Sequence, residues 1–188
     1  MSRTVLFGGA RSGKSAYAEA LAIASGQDVV YLATARAGDA EMQQRVSHHR
    51  QHRPAHWHTV EEPLALGAAL RQWSAPDRLV LIDCLTLWLA NLLFDDGTDY
   101  PDVGRLTLPP RFAQQRTALL ESLADARGDV ILVSNEVGMG IVPLGAVSRC
   151  FADEAGRLNQ AVARECDNAL MLVAGLPLTL KGAPCWQA

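Results

Sequence analysis

The 188-residue sequence predicts an α/β protein, a mostly parallel sheet with helices on both faces, and three observations carry that expectation. Short continuous apolar runs alternate with helix-length stretches from one end to the other, as strands covered on both sides and their crossover helices do. The first apolar run ends in a glycine-rich turn that opens directly into a helix. A hydrophobic fraction of 49% against a charged fraction of 20% is ordinary for a globular chain, and its length suits one core, so the expectation is a single domain over residues 1–188.

The elements follow in order. Arg3 to Phe7 reads as a buried strand running into Gly8-Gly9, and Gly13 to Ser25 has helical Ala and Leu spacing that stops at Gly26. Asp28 to Thr34 (DVVYLAT) is a second strand. Asp39 to about His52 suits a helix ended by Pro54, Trp57 to Val60 an extended piece, and Pro63 to Trp73 another helix. Arg78 to Asp83 (RLVLID) is a third strand, with a helix over Leu85 to Phe94 behind it. Residues 95–109 carry acid, Gly and Pro without periodicity and read as an exposed loop. Pro110 to Arg127 is a long helix with proline in its first turn, where a missing N–H does no harm. Asp129 to Ser134 is a fourth strand, Asn135 to Gly145 a glycine-rich loop and Ala152 to Cys166 a helix. Ala169 to Val173 and Leu178 to Leu180 are the last strands.

Composition excludes several classes. A net charge of -3 gives no general basis for nucleic-acid binding, so any phosphate recognition must be local. Cys84, Cys150, Cys166 and Cys185 lie far apart and form no C-x-x-C pair, which argues against a disulfide framework or a structural zinc. Met1-Ser2-Arg3 leads straight into a short apolar run, unlike a secretory leader, and no apolar stretch has the length of a membrane span. The expected location is cytoplasmic. Only Lys14 and Lys181 are lysines among 17 basic residues. A codon bias toward arginine accounts for most of that, yet lysine at position 14 suits a compact charge among phosphates.

Gly8-Gly9-Ala10-Arg11-Ser12-Gly13-Lys14-Ser15 matches the phosphate-loop pattern G-x-x-x-x-G-K-[ST] between a strand and a helix. Glycines let successive N–H groups curl toward phosphate oxygens, and the following helix adds the positive end of its dipole. Lys14 reaches the outer phosphates and the Ser15 hydroxyl suits Mg²⁺. Asp83, ending a buried run, is the expected acid at that magnesium; the competing reading is a cap for the helix that starts at Leu85.

All five histidines (His48, His49, His52, His56 and His58) fall within eleven positions. On a helix Arg45, His49 and Arg53 share a face, which suits a nucleophile or proton carrier between two phosphate clamps. His48 and His52 share the neighbouring face, where zinc binding or simple solvation are the alternatives.

The opening GGARSGKS, the segment R-[IV]-x-x-H-R-x-x-R-P-x-x-W-x-T-x-E over Arg45 to Glu61, the loop NEVGMGIVP over Asn135 to Pro143 and the stretch Arg149 to Gln160 resemble one family. It is the bifunctional adenosylcobinamide kinase / adenosylcobinamide-phosphate guanylyltransferase of cobalamin biosynthesis. The resemblance implies a RecA-like P-loop fold and two reactions. ATP or GTP phosphorylates adenosylcobinamide, and GTP then gives GMP to that phosphate through a guanylyl-histidine, leaving adenosyl-GDP-cobinamide. Carried onto this chain, the motif puts the catalytic histidine at His49; His48 is the rival, about 100° round the helix. The resemblance further implies nucleotide contacts from Gly8 to Ser15, from Thr34, Ala35 and Arg36, from Arg50, Gln51, His52 and Arg53, and from Glu61 and Asp83. It implies Mg²⁺ at Ser15 and Asp83, a corrinoid substrate and a homotrimer. Loop 95–109 and tail 183–188 receive no function. The alternatives are another P-loop small-molecule kinase without a histidine nucleophile, or a nucleotide-controlled metal- or partner-binding protein.

Overall fold

The computed structural model describes residues 1–35, 54–94, 97, 100–104 and 106–182. Among them seven strands form one sheet: β1 (Arg3–Gly8), β2 (Asp28–Ala33), β3 (His58–Glu61), β4 (Arg78–Asp83), β5 (Asp129–Asn135), β6 (Asn168–Val173) and β7 (Leu176–Lys181). Their spatial order is β3-β2-β4-β5-β1-β6-β7, parallel throughout except for the β6–β7 hairpin at one edge. Five helices accompany them among the described residues: α1 (Lys14–Ala24), α2 (Leu66–Trp73), α3 (Leu85–Phe94), α4 (Pro110–Ala124) and α5 (Ala146–Glu165). None is long and apolar enough to cross a membrane.

The central strands are unbroken apolar runs because both of their faces are covered. On one face α2 to α5 enclose a core around Trp88, Leu89, Leu119, Leu158 and Val162. Trp88 is fully buried, and its indole N–H donates to the Leu64 carbonyl at 2.8 Å, so no polar atom is stranded there. On the other face α1 lays Ala18 and Ala22 against Leu6, Leu81, Ile131 and Val133. Those small side chains let α1 sit close to the sheet, which fixes the turn that precedes it.

Several boundaries differ from the sequence expectation, each for a tertiary reason. The helix expected from Pro63 starts at Leu66, because the Glu62 carboxylate accepts the N–H groups of Leu64 (2.9 Å) and Ala65 (2.7 Å). The helix expected to reach Arg127 ends at Ala124, and the Arg127 N–H goes instead to Ser74 Oγ at 2.7 Å. The helix expected from Ala152 already begins at Ala146, whose N–H meets the Asp102 carbonyl at 3.1 Å. Arg149 also grips the Pro143 and Leu144 carbonyls, which holds a first turn of weak intrinsic propensity. The last strand begins at Leu176, since Ala174 (φ 52°) and Gly175 (φ 81°) form a two-residue hairpin turn with both residues left-handed. The expected helix from Asp39 to His52 lies outside the described residues.

Helix α2 crosses α4 at Gly67, where a Cβ would stand 2.5 Å from the Ala118 carbonyl group. Gly67→Ala is therefore expected to destabilise the protein by about 1–3 kcal/mol in urea unfolding. Gly156→Ala, inside α5 with nothing within 4 Å of the added carbon, is expected to stabilise it by about 0.5–1 kcal/mol in the same titration. A neutral Gly67→Ala would refute the helix crossing.

Candidate active site

The parallel strands bring the ends of β1, β2, β3, β4 and β5 to one edge of the sheet, and the candidate site is built there. Gly8 pairs with Asn135 of β5 and Leu172 of β6, so the chain leaves β1 in the middle of that edge. The loop closes with Ser12 N–H on the Gly9 carbonyl at 3.2 Å, and Tyr17 N–H on the Gly13 carbonyl at 2.9 Å starts α1. Gly13 is left-handed (φ 93°), and a Cβ there would meet Gly175 Cα at 3.1 Å. Gly175 in turn donates its N–H to the Ser12 carbonyl at 2.9 Å. The β6–β7 turn thus braces the phosphate loop from the side. The sequence trace of this brace is the Ala174-Gly175 pair that follows the apolar run of β6.

Lys14 lies at the first turn of α1 and is only 7% exposed. Its ammonium donates to the Gly9 carbonyl at 3.1 Å. Burial pushes its pKa below the ordinary lysine value, against the opposing pull of the Asp83 carboxylate. Asp83 ends β4, and strand alternation turns it to the α1 face beside Tyr31, whose hydroxyl donates to its carboxylate at 2.9 Å. Strand β5 lies between β1 and β4, which puts β4 about 10 Å from β1 at normal strand spacing. This one-strand gap is the RecA-like arrangement, and the Lys14 ammonium still feels Asp83 across it.

Cys84 occupies the cap-like place. The N–H groups of Leu87 and Thr86 point to its sulfur, but burial first and Asp83 second push the thiol up to about 11. It stays protonated at neutral pH and is no nucleophile.

Thr34 is fully buried with every polar group engaged. Its hydroxyl donates to the Cys84 carbonyl and accepts the Cys84 N–H, both at 2.8 Å. Its N–H meets the Asp83 carbonyl at 3.1 Å and its carbonyl accepts from Asn91 at 2.8 Å. Thr34 holds the ends of β2 and β4 together, and Ala35 follows it half-buried. Glu61, exposed, ends β3 beside Ala33 in the register. Gly8 to Ser15, Thr34, Ala35, Glu61 and Asp83 therefore share one edge. Arg36, His49, Arg50, Gln51, His52 and Arg53 lie outside the described residues, as do Arg45 and His48. Trp57 sits in the apolar layer on the α1 side.

A second polar group fixes the end of β5, and sequence reading missed it. Ser134 Oγ donates to Asn159 Oδ1 at 2.7 Å, Asn159 Nδ2 donates to the Asn135 carbonyl at 3.3 Å, and Asn135 N–H meets Thr86 Oγ1 at 2.7 Å.

A family described as cobinamide kinase / cobinamide phosphate guanyltransferase matches residues 4–180. The chain belongs to this family. The bifunctional adenosylcobalamin biosynthesis protein CobP of Pseudomonas aeruginosa is 53% identical over 97% of this chain and 99% of its own length. The CobU protein of Escherichia coli bearing the same description is 41% identical over 93% of this chain and 97% of its own. In fold alone the chain is similar to the flagellar accessory protein FlaH of Methanocaldococcus jannaschii. There the TM-score is 0.51 at 11% identity, over 96% of this chain and 78% of that one.

The lowered pKa of Lys14 has a definite sign. The folded state holds this proton less tightly than the unfolded chain, so burial of the charge costs stability, and that cost fades as pH rises through the depressed value. Lys14→Met keeps the aliphatic stem and removes the charge. It is expected to raise the melting temperature of the nucleotide-free protein while cutting triphosphate binding at least about a hundredfold. Calorimetry beside equilibrium nucleotide binding checks both. A variant that melts lower and still binds would contradict the account of the buried ammonium.

Proposed function

We propose that this protein phosphorylates adenosylcobinamide with ATP or GTP and then transfers GMP from GTP to the resulting phosphate through a guanylyl-histidine at His49. The supporting observation is a complete phosphate loop with a nearly buried lysine, on a chain that matches the kinase and guanyltransferase family over residues 4–180. In the first reaction a hydroxyl of the acceptor attacks the γ-phosphorus, and the loop amides and Lys14 gather the charge left on the departing diphosphate. In the second, neutral His49 attacks the α-phosphorus of GTP. An N–P bond forms, the bond from that phosphorus to the bridging oxygen breaks, and pyrophosphate leaves with the displaced electron pair. The acceptor phosphate then attacks the same phosphorus, and the imidazole departs neutral. The product is adenosyl-GDP-cobinamide.

Magnesium fits the donor set, since the Ser15 hydroxyl and the Asp83 carboxylate are hard oxygen ligands. They would hold the ion, which supplies Lewis-acid polarisation of phosphoryl oxygens when bound. Ala35, Arg36, Arg50 to Arg53, Glu61 and Asp83 contact the nucleotide in this reading, and the buried Thr34 serves by fixing Ala35 and Asp83. The protein works in the cytoplasm as a homotrimer. Support for self-association comes from the antiparallel edge, where Val173, Leu176, Leu178 and Leu180 are 58–71% exposed. Across the hairpin Leu176 pairs with Val173 and Leu178 with Met171, so both leucines stand on the face of the sheet that α5 covers.

GTP labelled at the α-phosphate is expected to leave an acid-labile, base-stable label on the wild-type protein. His49→Ala should lose both the label and guanylyl transfer but retain phosphorylation of adenosylcobinamide. Label mapped to His48 moves the nucleophile by one residue. No α-label on a protein with working kinase activity removes the transferase mechanism and leaves a simpler kinase.

Leu178→Glu is expected to yield a lower-mass species in sedimentation velocity, where the wild type sediments as a trimer. A wild-type monomer would rule the assembly out.

A further inference from the structure

A cleft of about 700 Å³ lies outside the residues assigned to the candidate active site, between the segment Leu106–Leu108 and the first turns of α5. Leu106, Thr107 and Leu108 form one wall, and Arg149, Asp153 and Arg157 the other. Its position follows from the topology. Helix α5 connects the end of β5 to the start of β6, which is parallel to β5's neighbour β1, so α5 descends from the edge that carries the phosphate loop. Asn159 ties the helix to Ser134 and Asn135 at that edge. Residues 149–157 precede this anchor and rise up to about 15 Å beyond the strand ends at 1.5 Å per residue. Asn135 pairs with Gly8, and the Glu136 N–H meets the Gly8 carbonyl at 2.9 Å. The cleft therefore starts from the strand next to the phosphate loop. The segment leading into α5 carries Met139, Ile141 and Val142, which are 79%, 98% and 72% exposed.

The charges around the cleft select its occupant. Arg149 is committed to the Pro143 and Leu144 carbonyls, and Arg157 is paired with Glu154. Two arginines face two carboxylates, and Asp153 is exposed at the wall. With its charges balanced, such a lining offers a triphosphate no net attraction and suits a bulky uncharged ligand that offers apolar surface and amide N–H groups. A corrin ring fringed with carboxamides has that chemistry. The cleft volume falls within the roughly 300–1,000 Å³ usual for ligand sites, enough for part of so large a molecule.

We infer that this cleft, with the apolar segment 139–142 beside it, seats the amide-fringed corrin ring of the acceptor while its reacting arm reaches the phosphate loop. This inference rests on the function proposed above. It is tested with adenosylcobinamide itself, followed by its visible absorbance in equilibrium dialysis, and with GTP titration of the same samples. Thr107→Trp fills the cleft from an exposed position, and Asp153→Arg reverses its exposed charge. Both are expected to weaken corrinoid binding at least about tenfold while GTP affinity stays within about twofold. Unchanged corrinoid affinity in two folded variants would overturn the location. So would tighter GTP binding by Asp153→Arg, which would make the cleft an anion site. A variant that changes sedimentation would assign the cleft to a second copy of the chain. Failure of the wild type to bind adenosylcobinamide would instead overturn the proposed function, and the inference with it.

Discussion

Burying an ammonium group at the centre of a loop that must also meet several phosphate charges is the constraint around which this protein is built. An isolated charge of that kind is costly, and here its one hydrogen bond within the loop is to a carbonyl, with the Asp83 carboxylate offsetting the burial from two strands away. Such an arrangement holds only if the backbone around the lysine cannot relax. Helix α1 supplies rigidity from one side through the alanines it lays on the sheet, and the β6–β7 turn supplies it from the other. The stability given up at Lys14 is what leaves the loop ready for a polyanion, a common trade at sites shaped for charged ligands.

The acid side of the site is held by a comparable lattice of short bonds. Thr34 ties the end of β2 to Asp83 and Cys84 with three hydrogen bonds, Tyr31 orients the carboxylate, and Asn91 closes the group from α3. Thr34, Tyr31 and Cys84 are buried, and with Asn91 they fix the position of the half-buried Asp83 carboxylate at the edge.

What the sequence could express was what depends on near neighbours in the chain. The loop GGARSGKS is readable because curling a backbone round phosphates demands particular residues at fixed spacing, and β1 and α1 flank it as expected. Asp83 is readable because it ends an apolar run. The insertion of β5 between β1 and β4 is not, since strand order is a long-range property that no local pattern encodes. The same holds for Gly175, which meets Ser12 across most of the chain, and for the early start of α5, decided by Asp102, Pro143 and Leu144. Thr34 was read from resemblance as a nucleotide contact, and only packing reveals that its hydroxyl is already committed to Cys84. Residues 45–53 of the arginine and histidine segment lie outside the described residues.

The brace from Gly175 also governs when the protein becomes competent as it is made. The phosphate loop is synthesised before β5, β6 and the β6–β7 turn, yet β1 is flanked by β5 and β6, and the loop leans on that turn. Such contacts, distant in sequence, close late in folding. A nascent chain that has not yet reached Gly175 therefore carries the full phosphate-binding motif without the brace that shapes it. Nucleotide capture waits for the β6–β7 turn.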